Sequence, residues 1–286
     1  MPPAWTDVWM TDDPKNCIQA VGRDSKGRKV YLYSAEYMGT AAAAKFARLK
    51  AFAKAYPSLI KTLRRDMKLK EEALVLYLIS KTGFRIGSNA ETLAKVKAFG
   101  ASTLRCRHLA VTGTTLSFDF TAKKGVRVTK VIRDAFLARK VASRCATGAG
   151  KSVFDTGDDK IRAYLCSIPG GSQFSVKDFR TYLGTLTAYL KIKTMPVPRN
   201  QTEYKRYRKE VGQSVARELG NSTVIALKSY VSPEVFCHWD SRQDVSAEKA
   251  GVKTSSLTEG FLECIHYDRD VAMEEFLDAD PLERLE

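Results

Sequence analysis

The alternation of apolar and polar residues changes period early in this 286-residue chain. Up to about Tyr37, short alternating segments are cut by Pro, Gly and Asp. Lys29-Val-Tyr-Leu-Tyr33 follows Asp24-Ser-Lys-Gly27, the pattern of a strand entered from a β-turn. From Thr40 the pattern is helical: Ala41 to Tyr56 places Phe46, Leu49 and Phe52 on one face. Pro57 is expected to end or interrupt that helix, since proline has no N–H to give and crowds the preceding turn. Lys68 to Lys81 predicts a second helix, with Glu71 and Glu72 in its first turns, Ala73, Leu74, Tyr77 and Leu78 on one side, and Gly83 as the stop. Residues Val111 to Val128 break the helical series. Val111-Thr-Gly-Thr-Thr115 reads as a turn, Leu116 to Phe120 as a strand, and Lys123-Lys-Gly125 as a second turn into another strand. Helices are expected again over Lys130 to Cys145, from near Lys160, over Val176 to Lys191 and over Glu203 to Leu219. A Gly- and Asp-rich stretch, Ala146 to Asp159, and the pair Pro196 and Pro198 mark connections.

This pattern predicts an α+β, mainly helical protein: a strand-rich N-terminal lobe over residues 1–38, a mainly helical domain over 39–267 with an inserted β-hairpin, and an acidic segment over 268–286. No internal repeat is visible. The apolar share of 44% is that of a chain with a real core. The longest strongly apolar run, near Ala73 to Ile79, is far too short to cross a bilayer, so no membrane partner is expected.

Charge adds what periodicity cannot. The formal net charge is +15, yet the stretch from Asp268 to Glu286 has eight acidic residues against two basic ones, which leaves an excess of 21 positive charges before it. Such an excess points to a polyanion, nucleic acid ahead of an anionic membrane surface. The six cysteines, Cys17, Cys106, Cys145, Cys166, Cys237 and Cys264, show no tight paired spacing and are expected to be reduced thiols. Cys237 adjoins His238, and Cys264 lies two residues from His266. Neither spacing is usual for structural zinc, and no metal site is expected.

Three basic side chains sit at structural transitions. Arg85 follows a helix in Thr82-Gly-Phe-Arg-Ile-Gly87, Lys123 occupies a hairpin tip, and Arg180 lies near the start of a helix in Lys177-Asp-Phe-Arg180. Taken singly, each reads as well as a helix cap, a surface ion pair or a solvated turn, and together they make only a phosphate-binding hypothesis. Tyr230, in the segment from Leu219 before Pro233, is one of twelve tyrosines, and composition alone does not select it. Alternative machinery is scarce. None of His108, His238 and His266 stands in a nucleophile elbow, and no glycine-rich loop ends in Gly-Lys-Ser or Gly-Lys-Thr.

The order of motifs is more specific. Pro2-Pro-Ala-Trp-Thr-Asp-Val-Trp9, Gly22-Arg-Asp-Ser-Lys-Gly-Arg28, Lys45-Phe46, Phe84-Arg-Ile-Gly87, Thr103-Leu-Arg-Cys-Arg-His108, Phe118-Asp-Phe-Thr-Ala-Lys-Lys-Gly125, Lys177-Asp-Phe-Arg-Thr-Tyr182 and the segment ending at Tyr230 follow one another along nearly the whole chain. In this order they resemble the compact type IB DNA topoisomerases of bacteria and poxviruses, whose helical catalytic fold is shared with tyrosine recombinases. The resemblance implies a catalytic set of Arg85, Lys123, Arg180, Asn221 and Tyr230. Tyr230 is the nucleophile of that set and Lys123 its hairpin lysine, with Lys124 as the rival. Asn221 stands where viral relatives have histidine. It further implies DNA contacts by Lys26, Arg28, Tyr31, Tyr33, Arg107, Lys124 and Lys177. Val30 replaces a common glutamine and cannot make that amide's base contact, so sequence-selective cleavage is expected to be weak. Relatives carry residues before the Pro-Pro-Ala-Trp segment, so the N-terminal sheet and its hold on DNA are expected to be reduced.

The activity so implied is relaxation of supercoiled duplex DNA through a 3′-phosphotyrosyl intermediate, without ATP, metal or other cofactor, by a monomer that clamps or encircles DNA. The compartment would be the cytoplasm or nucleoid of a bacterium, the nucleus of a eukaryote, or a virion or its host cell. Two other readings stay open. A tyrosine recombinase would use similar arginines and a tyrosine but assemble several protomers. A catalytically silent DNA-binding protein would keep the charge alone.

Overall fold

A computed structural model describes residues 3–25, 27–88, 96–146 and 148–240, the side chains of His238 and Asp240 excepted. Lys26, Cys264, His266 and the acidic segment 268–286 lie outside the described residues, as does the His238 side chain. The architecture is mixed α+β and helix-rich, as the periodicity predicts, and the chain divides after Lys50 into two compact units.

The first unit holds an antiparallel sheet in the order β1 (Thr6–Met10), β2 (Ile18–Arg23), β3 (Lys29–Tyr33). Its turn is held by Asp24, which gives its N–H to the Arg28 carbonyl at 3.0 Å and whose carboxylate accepts from Arg28 Nε at 2.8 Å. On β3 and just beyond it, Tyr31, Tyr33 and Tyr37 form a stacked ladder with ring centroids 6.1 and 5.2 Å apart, and all three are exposed.

Helix α1 (Ala35–Asp66) continues past Pro57 without a break, against the expected interruption. An interior proline costs about 3 kcal/mol. Pro57 lies on the exposed side, while Phe52, Leu59 and Leu63 on either side of it are fully buried. Each such side chain contributes about 1.5–3 kcal/mol, so burial outweighs the lost backbone bond.

The second unit is built around two helices buried over most of their surface. Helix α2 (Glu71–Thr82) is apolar on nearly every side, which marks a core helix rather than a surface one. A second antiparallel sheet follows: β4 (Leu109–Thr112), β5 (Thr115–Thr121) and β6 (Arg127–Arg133). The helix expected from Lys130 begins instead at Ala135, as α3 (Ala135–Cys145). Lys130 to Arg133 complete β6, paired with β5 from Thr115 opposite Arg133 to Thr121 opposite Arg127. Asp134 sets the boundary: its carboxylate accepts from Leu137 N–H at 2.9 Å and from the Tyr77 hydroxyl at 2.9 Å, the role of a helix N-cap. Helices α4 (Asp158–Ser167), α5 (Val176–Lys193), α6 (Gln201–Leu219) and α7 (Thr223–Tyr230) complete the unit.

Cys106 and Cys145 are joined as a disulfide, where six reduced thiols were expected. A separation of 39 residues conceals the pairing, and the fold creates it. The turn at Cys106 is held against the segment after α3, with Cys106 N–H on Lys151 carbonyl at 2.9 Å and Arg107 N–H on Ala149 carbonyl at 2.7 Å. The end of α3 therefore lands beside Cys106. Among the described residues, Cys17, Cys166 and Cys237 stand outside any disulfide.

Candidate active site

Two helices of the second unit end in the same way. Helix α2 stops at Gly83 (φ 64°), whose N–H returns to Ile79 carbonyl, and α6 stops at Gly220 (φ 61°), whose N–H returns to Ala216 carbonyl. Both need the left-handed conformation that glycine adopts without penalty. Beyond the first end the backbone is pinned: Ala101 and Ser102 give their N–H groups to the carbonyls of Arg85 and Ile86, each at 2.8 Å. Arg85 is thereby set just past one helix end and Asn221 just past the other.

Arg180 lies between these ends. It sits in the second turn of α5, a helix opened by the Ser175–Asp178 capping box, and is only 4% exposed. Its guanidinium donates to the Gly83 carbonyl through Nη1 and to the Leu219 carbonyl through Nη2, the latter at 3.0 Å. Its Nε has no hydrogen-bond partner. Arg85 Nη2 donates to Asn221 Oδ1. Arginine can only donate, so this bond turns the amide until Nδ2 faces away, and that buried Nδ2 also has no partner. A buried donor left unmade costs about 1–3 kcal/mol. One such donor on the Arg180 guanidinium and one on the amide held by Arg85 describe a place for an anion with several acceptor oxygens.

Tyr230 closes the group. It is the last residue of α7, 7% exposed, with its ring centroid 5.0 Å from the Arg180 guanidinium carbon. A Cβ on Gly184 of α5 would stand 2.8 Å from the Tyr230 carbonyl oxygen, so only a glycine lets the two helices approach this closely. Thr185 Oγ1 donates to that carbonyl at 3.1 Å and accepts from Ser232 N–H at 3.2 Å, which fixes the end of α7.

The charges act on one another. Burial by itself would push the Tyr230 phenol up, but Arg180, through its charge and hydrogen bonding, then Arg85 and Lys177, hold it below the ordinary phenol value. Burial pushes Arg180 down to about 10, partly opposed by Tyr230 and reinforced by Arg85, and it remains cationic at neutral pH. A phenol biased toward ionisation against a buried guanidinium is the setting of an activated nucleophile.

The structure thus brings together Arg85, Arg180, Asn221 and Tyr230. Lys123 lies at the tip between β5 and β6, one residue past Ala122, which shares a small cleft with Arg85, Arg180 and Leu219. Its ammonium is exposed and has no hydrogen-bond or ion-pair partner among the described residues. The neighbouring Lys124 is exposed as well and is held at φ 67°, in the tight turn itself. Lys177 is exposed in the first turn of α5, and Arg107 is exposed in the turn before β4. Arg28, Tyr31 and Tyr33 belong to the first unit, where Arg28 is engaged by Asp24. Lys130 and Thr185 escape sequence reasoning. Thr185 is marked by no motif, and Lys130 is signalled only by the alternation of β6, which places it on the inward face. Among the described residues no group of three or more His, Cys, Asp or Glu could hold a metal ion, and no helix is long and apolar enough to cross a membrane.

Residues 34–240 match the family model of the eukaryotic DNA topoisomerase I catalytic core, and residues 1–24 match that of the bacterial DNA topoisomerase IB N-terminal domain. DNA topoisomerase 1B of Acanthamoeba polyphaga mimivirus is 31% identical over 253 residues, covering 81% of this chain and 75% of that protein.

Proposed function

The chain belongs to the type IB DNA topoisomerase family, enzymes that bind DNA and relax it by strand transesterification, and from that premise we propose which of its residues perform the exchange. The Tyr230 hydroxyl oxygen attacks the phosphorus of a DNA phosphodiester and loses its proton to solvent as the new bond forms. The bond from phosphorus to the deoxyribose 5′-oxygen breaks, and Lys123 gives that oxygen a proton. A 3′-phosphotyrosyl enzyme and a free 5′-hydroxyl result. The hydroxyl end rotates, attacks the phosphotyrosine and reverses the exchange. One ester replaces another, so supercoil energy alone drives net relaxation.

The observation that carries this reading is the pair of buried donors left without partners, Arg180 Nε on the guanidinium that faces Tyr230 and Asn221 Nδ2 on the amide held by Arg85. With the Arg85 guanidinium they supply hydrogen bonds to the non-bridging oxygens, and such bonds strengthen as charge builds there. The exposed Tyr31–Tyr33–Tyr37 ladder of the first unit, with Lys29 Nζ 5.6 Å from the Tyr31 ring, supplies a further contact surface for the duplex. Contacts of that kind, together with Lys177 and Arg107, bind the backbone and weaken steeply with salt. We also propose that the chain acts as a monomer and that residues 1–38, 39–267 and 268–286 act as clamp lobe, catalytic domain and acidic segment.

The purified protein is expected to relax both positively and negatively supercoiled plasmid with a chelator present and ATP absent. Relaxation that appears only on adding magnesium or ATP would refute this mechanism. The electrostatics make a second prediction. Because the phenol is held low, the second-order rate of single-turnover cleavage should rise with pH and level off below the ordinary tyrosine value of ~10. A profile still rising past that value would show that the surrounding cations do not act on the nucleophile.

A further inference from the structure

The ends of α2 and α6 are bridged twice. Arg180 takes the carbonyls of Gly83 and Leu219, and Lys130 of β6 takes the carbonyls one residue earlier in each helix. Lys130 Nζ lies 3.0 Å from the Thr82 carbonyl oxygen, 3.4 Å from the Glu218 carbonyl oxygen and 2.7 Å from Glu218 Oε1. Its three N–H groups therefore match three acceptors, and the side chain is 14% exposed. The last carbonyls of a helix lack internal partners and carry its negative end. Two such ends side by side repel each other, and the Glu218 carboxylate adds to the repulsion. A cation between them is what that charge pattern requires.

The two bridges are successive rungs of one ladder. The gap between Thr82 and Glu218 governs the gap between Gly83 and Leu219, and that second gap sets the plane of the Arg180 guanidinium and the direction of its unpartnered Nε. Strand β6 also meets the end of α6 through Val128, whose Cγ2 would stand 2.9 Å from a Cβ on Gly220. The same strand leads back to the Lys123 turn.

We propose that Lys130 is a positioning residue for strand cleavage: by bridging the two helix ends it aims Arg180 at the scissile phosphate without touching DNA itself. This rests on the assignment of Arg180 to that phosphate. The test is a double-mutant cycle on the full chain, with Lys130→Met, Arg180→Ala and the pair. The readouts are the single-turnover rate of covalent cleavage, the affinity for uncleaved duplex and thermal unfolding. Lys130→Met should slow cleavage ~10- to 100-fold, the scale of a misplaced catalytic group, with duplex affinity unchanged. In the Arg180→Ala background the same substitution should change the rate less than about twofold, because a residue acting through Arg180 has nothing left to position. Lys130→Arg should recover most of the rate, since a guanidinium can span both carbonyls. If Lys130→Met does not fold, Lys130→Gln, neutral but still a donor, runs the same cycle. Equal losses in both backgrounds, or cleavage within about twofold of the parent in the single variant, would overturn the proposal. Undiminished cleavage by Arg180→Ala alone would instead sink the assignment of Arg180.

Discussion

Tyr230→Phe is expected to end covalent DNA adduct formation and plasmid relaxation while leaving duplex binding and folding nearly intact. The substitution removes one oxygen and keeps the ring, which faces the Arg180 guanidinium, on a residue 7% exposed. Helix α7 ends through backbone contacts, the Thr185 hydroxyl on the Tyr230 carbonyl, which phenylalanine retains. Among the described residues, Tyr230 is the hydroxyl-bearing side chain whose ring lies against the Arg180 guanidinium. Denaturant trapping of a protein–DNA adduct on a radiolabelled duplex is the direct measurement, with relaxation as the second. An adduct formed by the phenylalanine variant at the parent's rate would remove Tyr230 from the mechanism.

Arg180→Ala should lower the cleavage rate by about 10²–10³-fold, the usual cost of removing a preorganised donor from a developing oxyanion. It should also destabilise the fold, because the Gly83 and Leu219 carbonyls lose a buried donor worth about 1–3 kcal/mol each. The two effects are separable: cleavage is measured under single-turnover conditions well below the variant's own unfolding midpoint. Arg180→Lys is the sharper variant. An ammonium keeps the charge but has no planar fork: its three N–H groups diverge from one atom, and it cannot reproduce the plane in which Arg180 holds both carbonyls and directs Nε. Its rate should stay well under the parent's. Full activity in the lysine variant would mean that charge alone, not the aimed guanidinium, is what the site uses.

Much of this was legible in the residues. The 3.6-residue period located α2, α5 and α6 within a few positions, because their apolar faces are long and end at glycine or begin at a cap. Arg85, Arg180 and Tyr230 were legible only through the order of motifs. Spacing could not say that residues 85, 180, 221 and 230 converge, since four separate helices and turns bring them together. The start of α3 was misplaced because Val128, Ile132 and the residues after them suit either period, and the deciding feature, Asp134 capping against Tyr77, is a tertiary contact. That one error hid Lys130, which has no reason to face inward unless it stands on a strand. Pro57 misled for a related reason: a local rule was outweighed by burial on both sides. The Cys106–Cys145 pairing was invisible because nothing local joins positions 39 residues apart.

The proposed phosphate site adjoins the carbonyl ends of α2 and α6, which carry the negative ends of those helices. The arginine there already spends two of its donors on main-chain oxygens whose polarity disfavours negative charge. On the proposed assignment, those carbonyls offset part of the attraction that the Arg85 and Arg180 cations exert on the resting diester. On that assignment the carbonyl ends shorten the dwell on intact backbone, which suits an enzyme that reseals a strand and then leaves it.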